Sequence, residues 1–171
     1  RPYIMDNNAL SRFLESQKKA FALQKNYSFG TYRADLYGYR RFNMLGRDYY
    51  FFHEGNFVSF TPEKCSSMHE AAREHVNAQY KMPKAMRFVV PNIVSIFLSP
   101  DGFSEHAVEL ALQQKRQWQG GEVHDMFFVD ITRKECYGPG YHKVRMEGVD
   151  FTLKKTDPTN RSIELIKELL K

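Results

Sequence analysis

The stretch FVVPNIVSIFLSPDGFSEHAVELALQQKRQWQGGEVHDMFFVDI, residues 88–131, decides the fold. Its first part, residues 88–99, is the most apolar segment of the chain and is rich in β-branched side chains. It lacks the alternation of a strand with one wet face, which predicts a central strand buried on both sides. Pro91 has no backbone donor, so we expect the regular ladder to begin around Asn92.

The rest of that stretch predicts a helix and a second strand. A helix begins at Ser104, with small and apolar residues on its inner side, and is expected to end near Gly120 and Gly121. Residues 125–131 form another short apolar strand. Two buried strands flanking one helix indicate a parallel βαβ unit, whose crossover is nearly always right-handed.

Upstream, the pattern changes from helical to strand-like. Residues 9–24 carry an apolar stripe at helical spacing and predict an amphipathic helix. The aromatic residues and glycines of 27–60 are typical of consecutive strands. We expect residues 31–43 to turn back into 47–53, followed by a short strand at 57–60.

Three further elements complete the prediction. Thr61 as cap and Pro62 at the first helical position begin a helix that runs to about Gln79. Residues 143–155 are expected to add a hairpin or edge strand, and residues 158–170 a terminal helix capped by Asp157. Residues 1–171 therefore predict a single three-layer α/β domain with a mixed sheet and helices on both faces. The chain begins at Arg1 without Met, which leaves open that it is a piece of a longer protein.

Composition excludes several classes of protein. Of 171 residues 42% are apolar, which excludes disordered and low-complexity chains, and no apolar run is long enough to cross a membrane. A net charge of +5 permits nucleic-acid contact without requiring it. The two cysteines, Cys65 and Cys136, lie far apart and indicate neither a disulfide scaffold nor a zinc ribbon. We expect a cytoplasmic protein with no membrane partner.

Residues 92–131 resemble the second half of Mrr-type restriction endonuclease domains, members of the restriction-endonuclease-like (PD-(D/E)XK) nuclease superfamily. In that family a hydrophobic strand leads through Ser or Thr into a Phe-Ser start of an Ala-rich helix, and a strand ending in an acid follows. The matching segments here are IVSIFLS at 93–99, GFS at 102–104, Ala107 and Ala111, and FFVD at 127–130. The upstream helix, hairpin and second helix come in the order that such a fold would supply.

The resemblance implies a site for Mg²⁺, because those nucleases hold one or two such ions on carboxylates at the ends of two paired strands. Asp35 on the first hairpin strand would take the first position and Glu54 the next, with Glu15 on the preceding helix as an accessory acid. The family's Lys normally stands two residues after the second acid, where this chain has Asn56. This departure favours a scaffold that has kept its fold and lost its chemistry.

Arginines alternate with rings along the hairpin, and three interpretations of them stay open. The rings could pack on the first helix with the arginines extended into solvent, or they could contact a protein, or they could stack on single-stranded nucleic acid. His53, next to Glu54, is the best single candidate for polar chemistry on this hairpin. The candidate contact residues are Arg33, Tyr37, Arg40, Arg41, Tyr49 and His53.

The function that the sequence favours is therefore a non-catalytic binding or scaffolding module. It would contact another protein, or a second copy of itself, through the hairpin region 27–60, and no cofactor is firmly implied. The alternative is a Mg²⁺-dependent endonuclease or nucleic-acid-binding protein, in which Asp35 and Glu54 ligate the metal and Glu15 assists. The other histidines and Cys65 are expected to be structural, since they stand in no recognisable metal or nucleophile pattern.

Overall fold

The computed structural model describes residues 9–114, 121–139, 141–145 and 158–170. In chain order the elements are α1 (Ala9–Gln17), β1 (Ala22–Phe29), β2 (Tyr32–Arg41), β3 (Gly46–Glu54), α2 (Pro62–Asn77), a 3₁₀ turn (Lys84–Met86), β4 (Val90–Ser99), α3 (Glu105–Leu112), β5 (Val123–Asp130), β6 (Glu135–Gly138), β7 (Tyr141–Arg145) and α4 (Pro158–Leu169).

The seven described strands form one mixed sheet in the order of the chain, from β1 to β7. The central strands β3, β4 and β5 run parallel, and the pairs on either side of them are antiparallel. Because parallel neighbours need a crossover, α2 connects β3 to β4 and α3 connects β4 to β5. The predicted parallel βαβ unit is confirmed, and the fold is α/β.

Helices cover both faces of the sheet. Apolar residues of α1 and α4 pack on one face, which we call the α1 face; the core there includes Phe13, Ile166, Phe52, Val94 and Phe127. Helices α2 and α3 pack on the opposite, or α2, face, over a core that includes Ala72, Ala107, Phe51, Ile93 and Phe128. Strand β4 is buried over nearly its whole length, as its apolar sequence predicts.

The helix starts that the sequence predicts are formed by side-chain caps. The Thr61 hydroxyl accepts a hydrogen bond from the backbone N–H of Lys64 at 3.2 Å. The Ser104 hydroxyl accepts one from Ala107 N–H at the same distance of 3.2 Å. Each cap satisfies a donor that the first helical turn would leave unpaired.

The predicted first helix is too long. In the structure α1 ends at Gln17, where the backbone turns so that Phe21 N–H donates to the Gln17 carbonyl oxygen. Residues from Ala22 onward form β1 instead. Phe21 stands at helical spacing from Phe13, but the chain brings the two rings together, 6.3 Å apart, by reversing rather than by continuing the helix.

The predicted strand at residues 57–60 is also wrong, because this segment is a turn. The Asn56 side-chain oxygen accepts hydrogen bonds from the Ser59 backbone N–H and hydroxyl. Phe60 folds back so far that a Cβ added to Gly55 would lie 2.7 Å from its ring. The chain therefore turns away from the sheet directly after Glu54.

Two boundaries and one further strand also differ from prediction. Strand β4 includes Pro91, which pairs with β3 only, since pairing with β5 begins at the next residue. Helix α3 ends at Leu112 because the Gln114 side chain bonds the backbone N–H and carbonyl of Met126 in β5. Strand β6 has no counterpart in the prediction.

Parts of the prediction lie outside the described residues. These are residues 115–120 of the expected α3 helix, the Asp157 cap and residues 146–155 of the expected hairpin. Strand β7 falls at the start of that expected hairpin and lies at the edge of the sheet. No helix in the described part of the chain is both long and apolar enough to cross a membrane.

Candidate active site

Asp35 and Glu54 lie next to each other where β2 begins and β3 ends. These strands are antiparallel, so the start of one meets the end of the other. The backbone N–H of Glu54 donates a hydrogen bond to Asp35 Oδ2 at 2.7 Å. The structure therefore brings together the two acids that the resemblance implies.

A kink in the hairpin sets the position of Asp35. Side chains two apart in a strand normally share a face, yet Leu36 packs in the core of the α1 face and Ala34 in that of the α2 face. The reversal occurs at Asp35 and at the facing residue of β1, Asn26, where the ladder is interrupted. Asn26 has a φ of 51°, in the left-handed region. The kink places Asp35 outside both hydrophobic layers.

The two acids line a cleft of about 190 Å³ on the α1 face. Its remaining lining comes from the first turn of α1 and from β1; these residues are Leu10, Ser11, Lys25, Asn26 and Leu36. Lys25 is the only cationic residue among them. Sequence reasoning missed it because residue 25 follows directly on the segment predicted as helix, and the strand that carries it was not predicted.

Glu54 is an incompletely satisfied acid. Its Oε1 atom is buried and has no hydrogen-bond partner. Desolvation by burial, with a smaller contribution from the charge of Asp35, raises the pKa of Glu54 to about 7. The pKa of Asp35 is also raised, again mainly by desolvation, although the Glu54 N–H bond and Arg33 oppose the rise. The cleft thus holds acidic groups whose negative charge lacks full compensation.

Glu15, the proposed accessory acid, lies on α1 but does not line the cleft. Its carboxylate forms an ion pair with Lys18 at 3.1 Å, and both side chains are largely exposed. Asn56, which stands where the family has its Lys, belongs to the turn after β3. Glu15 therefore pairs with Lys18, and Asn56 bonds within its own turn.

Two carboxylates are a small ligand set for a metal ion. Within the described ranges, no three His, Cys, Asp or Glu side chains group together as a metal site would require. Mg²⁺, however, is usually held by one or two carboxylates together with water and substrate phosphate. The unpartnered Glu54 oxygen beside Asp35 fits such an ion, and Asp35 and Glu54 are the residues that would hold it.

Most of the candidate contact residues of the hairpin face inward. Tyr37 and Tyr49 are buried in the core of the α2 face, and the Tyr49 hydroxyl lies 2.7 Å from that of Tyr80. His53 is buried against Phe97, with ring centroids 5.2 Å apart. Of the predicted set, only Arg33 and Arg41 are exposed.

Arg40 takes part in a buried ion network centred on Asp48. The Arg40 Nε donates to Asp48 Oδ2 at 2.9 Å, and Arg161 of α4 donates to both oxygens, at 2.8 and 3.3 Å. Asn92 donates to Asp48 Oδ1 at 3.1 Å. The network ties α4 and the hairpin to β4, so Arg40 has a structural role.

A buried chain of polar groups under α2 was not predicted. His69 Nδ1 lies 2.7 Å from the Ser95 hydroxyl, and His69 Nε2 lies 3.0 Å from His124 Nδ1. Burial, followed by the nearby His124, holds the pKa of His69 well below its usual value. Ser95 is fully buried in β4, so no substrate reaches its hydroxyl. The two contacts of this polar chain join residues that are 26 and 55 positions apart in the sequence, and no local pattern reveals contacts of that kind.

No protein-family model, curated protein or solved structure matches this chain.

Proposed function

We propose that the protein is a divalent-cation-dependent phosphodiester hydrolase acting on nucleic acid, with its site in the Asp35–Glu54 cleft. One observation carries the proposal: Glu54, which has a buried oxygen without a partner, lines a cleft together with a second acid, Asp35, that its backbone N–H bonds. Buried polar atoms are nearly always paired, so an unpaired one needs an explanation. A cation bound to the Glu54 oxygen would explain why no other group in the described part of the protein pairs with it.

The arrangement of elements supports the same proposal. A helix, an antiparallel hairpin, a second helix and two parallel strands follow one another in the order expected for the restriction-endonuclease-like fold. The acids lie at the ends of two paired strands, as in those nucleases. The resemblance itself covers other residues, 92–131. The position of the acid pair is therefore a separate argument for the hydrolase proposal.

The chain's own residues would divide the chemistry as follows. Hydrolysis joins a water oxygen to phosphorus and breaks the bond to the ester oxygen, and the proton that the water loses is balanced by the proton that the leaving oxygen gains. When bound, a divalent cation neutralises the charge that develops on the phosphate. Asp35 and Glu54 would hold that ion. Lys25 would hold the phosphate, because it is the cationic side chain of the cleft.

The test is cleavage of supercoiled, linear and single-stranded DNA and of RNA, with Mg²⁺ or Mn²⁺ and with EDTA. We expect cation-dependent cleavage that falls by about 100-fold or more in Asp35→Asn and Glu54→Gln. Glu15→Gln is the matched control, because Glu15 is an exposed acid of the neighbouring helix outside the cleft. Cleavage in EDTA, or full activity in Asp35→Asn, contradicts the proposal.

A non-catalytic binding module is the second candidate. It is favoured by the turn after β3, which carries Asn56 in place of the family's Lys and directs it into its own hydrogen bonds. Calorimetric titration of Mn²⁺ separates the candidates further. Tight binding lost in Asp35→Asn supports the hydrolase, whereas no binding and no cleavage leave the module.

A further inference from the structure

A second cavity lies at the carboxyl ends of the parallel strands β4 and β5. Its volume is about 380 Å³, and it shares no residue with the acid cleft. The volume falls in the range of small-molecule sites, at its lower end.

Asp130, the last residue of β5, supplies an acceptor in the lining of this cavity. Asp130 is 5% exposed, and its Oδ1 accepts a hydrogen bond from the Arg133 backbone N–H at 3.0 Å. Among the described residues no donor reaches Oδ2. Gly102 keeps the space beside Oδ2 open, since its φ is +83° and an added Cβ would lie 3.2 Å from that oxygen.

The loop that borders the cavity is held by its own hydrogen bonds. Asp101 Oδ1 accepts from the Phe57 backbone N–H at 2.8 Å and lies 2.8 Å from the Ser99 hydroxyl. The Thr132 hydroxyl donates to the carbonyl oxygen of Pro100. A cavity fixed in this way needs little reordering when a ligand enters.

Rings and one cation complete the cavity. Phe57, Phe103 and Tyr137 line it, and Phe57 is 46% exposed. Arg133 lines it as an exposed residue, and no carboxylate in the described part of the chain pairs with its guanidinium. A ligand that fits needs a flat ring, N–H donors for Asp130 and an anionic group for Arg133. A simple amine would pair with Asp130 but would leave Arg133 without an anion.

We propose that this cavity binds a nucleotide unit whose base presents N–H donors, guanine above all, with its phosphate on Arg133. Guanine offers two adjacent donors to a carboxylate, while cytosine and adenine offer one amino group each. The proposal rests on the proposed function, since a hydrolase of nucleic acid with this cavity would select substrates that contain the bound base. The class of substrate is therefore nucleic acid that contains guanine.

The experiment is calorimetric titration of GMP, AMP, CMP and UMP into the Glu54→Gln variant in EDTA, so that the proposed cation site plays no part. We expect GMP to bind at least tenfold more tightly than UMP, and Asp130→Asn to weaken GMP about tenfold. Arg133→Ala, a change at an exposed residue, should weaken GMP while leaving guanosine unchanged. Thermal melts of each variant verify that it is folded.

Equal affinity for all four nucleotides, no binding of any, or unchanged GMP binding in both variants overturns the proposal. A result in which free amino acids bind and GMP does not also overturns it. Because the titration is carried out without metal and with Glu54 replaced, its failure leaves the hydrolase proposal untouched. Failure of the cleavage test with success here would identify a nucleotide-binding protein without hydrolysis.

Discussion

The two ends of β3 each carry an acid, but in opposite environments. Asp48, near the start, is fully buried and bonded to Arg40, Arg161 and Asn92. Glu54, the last residue, keeps one buried oxygen without a partner and a pKa of about 7. A buried acid with full partners holds elements together. A buried acid without partners destabilises the fold, and such an acid is expected where a ligand supplies the missing partner.

The largest expected effect comes from Asp48→Ala. It leaves Arg40 and Arg161 without the carboxylate that they share, so we expect a loss of about 3–5 kcal/mol in the free energy of unfolding, measured by urea denaturation. Loss of the folded state altogether would agree with this expectation.

Glu70→Ala is the control for Asp48→Ala. Glu70 also pairs with an arginine, Arg73, but its side chain is 56% exposed, so the loss should stay below about 1 kcal/mol. If both variants lost the same small amount, the network around Asp48 would not be a stabilising centre, and the contrast between the two ends of β3 would disappear.

How far the sequence predicts this molecule depends on how local each signal is. The strands β4 and β5 with α3 between them could be predicted, because a long apolar run and a capped helix are strong local patterns. Strand β1 could not, because its polar, exposed residues follow an apolar stripe that Phe21 extends at helical spacing. The polar chain from Ser95 to His124 joins three elements and has no signature in sequence.

The candidate site shows the same limit. Only the resemblance, which other residues carry, points to Asp35 and Glu54. Their proximity follows from the register of β2 and β3, which the predicted turn of the hairpin fixes approximately. Lys25 joins them through the kink at Asn26, and a left-handed asparagine inside a strand cannot be predicted from its neighbours.

Glu54→Gln is expected to have the next largest effect, and it should stabilise. The pKa of Glu54 is raised from 4.5 to about 7, so the folded state carries a penalty for the ionised carboxyl that is absent in the unfolded chain. The free energy of unfolding should rise by about 2 kcal/mol above pH 7, after allowance for partial solvation.

The pH dependence identifies the cause. An acid whose pKa is raised by folding stabilises the folded state below its unfolded pKa, and this stability is lost as the pH rises to its folded pKa. The stability that Glu54→Gln gains should therefore grow between pH 4.5 and about 7 and vanish below that range. His53 acts in the opposite direction: burial lowers its pKa to about 3, so stability falls as pH drops below 6.5. The unmodified protein and the Glu54→Gln variant share that loss of stability, so the difference between their free energies of unfolding isolates the effect of Glu54. A gain that is the same at pH 4 and pH 8 would contradict a charge effect.

The smallest effect is expected at Asn26, where the strain is conformational rather than electrostatic. Asn26 has a φ of 51° and Lys134 a φ of 53°, so replacing either by Gly should stabilise by about 0.5–1 kcal/mol in urea denaturation. Only Asn26 lines the acid cleft, so only Asn26→Gly should also weaken Mn²⁺ binding or cleavage. Comparing Asn26→Gly with Lys134→Gly therefore distinguishes backbone strain at the acid cleft from backbone strain in a turn. If Asn26→Gly left the cleft's properties unchanged, the kink would position Asp35 through backbone shape alone, and the asparagine side chain would have no part in the site.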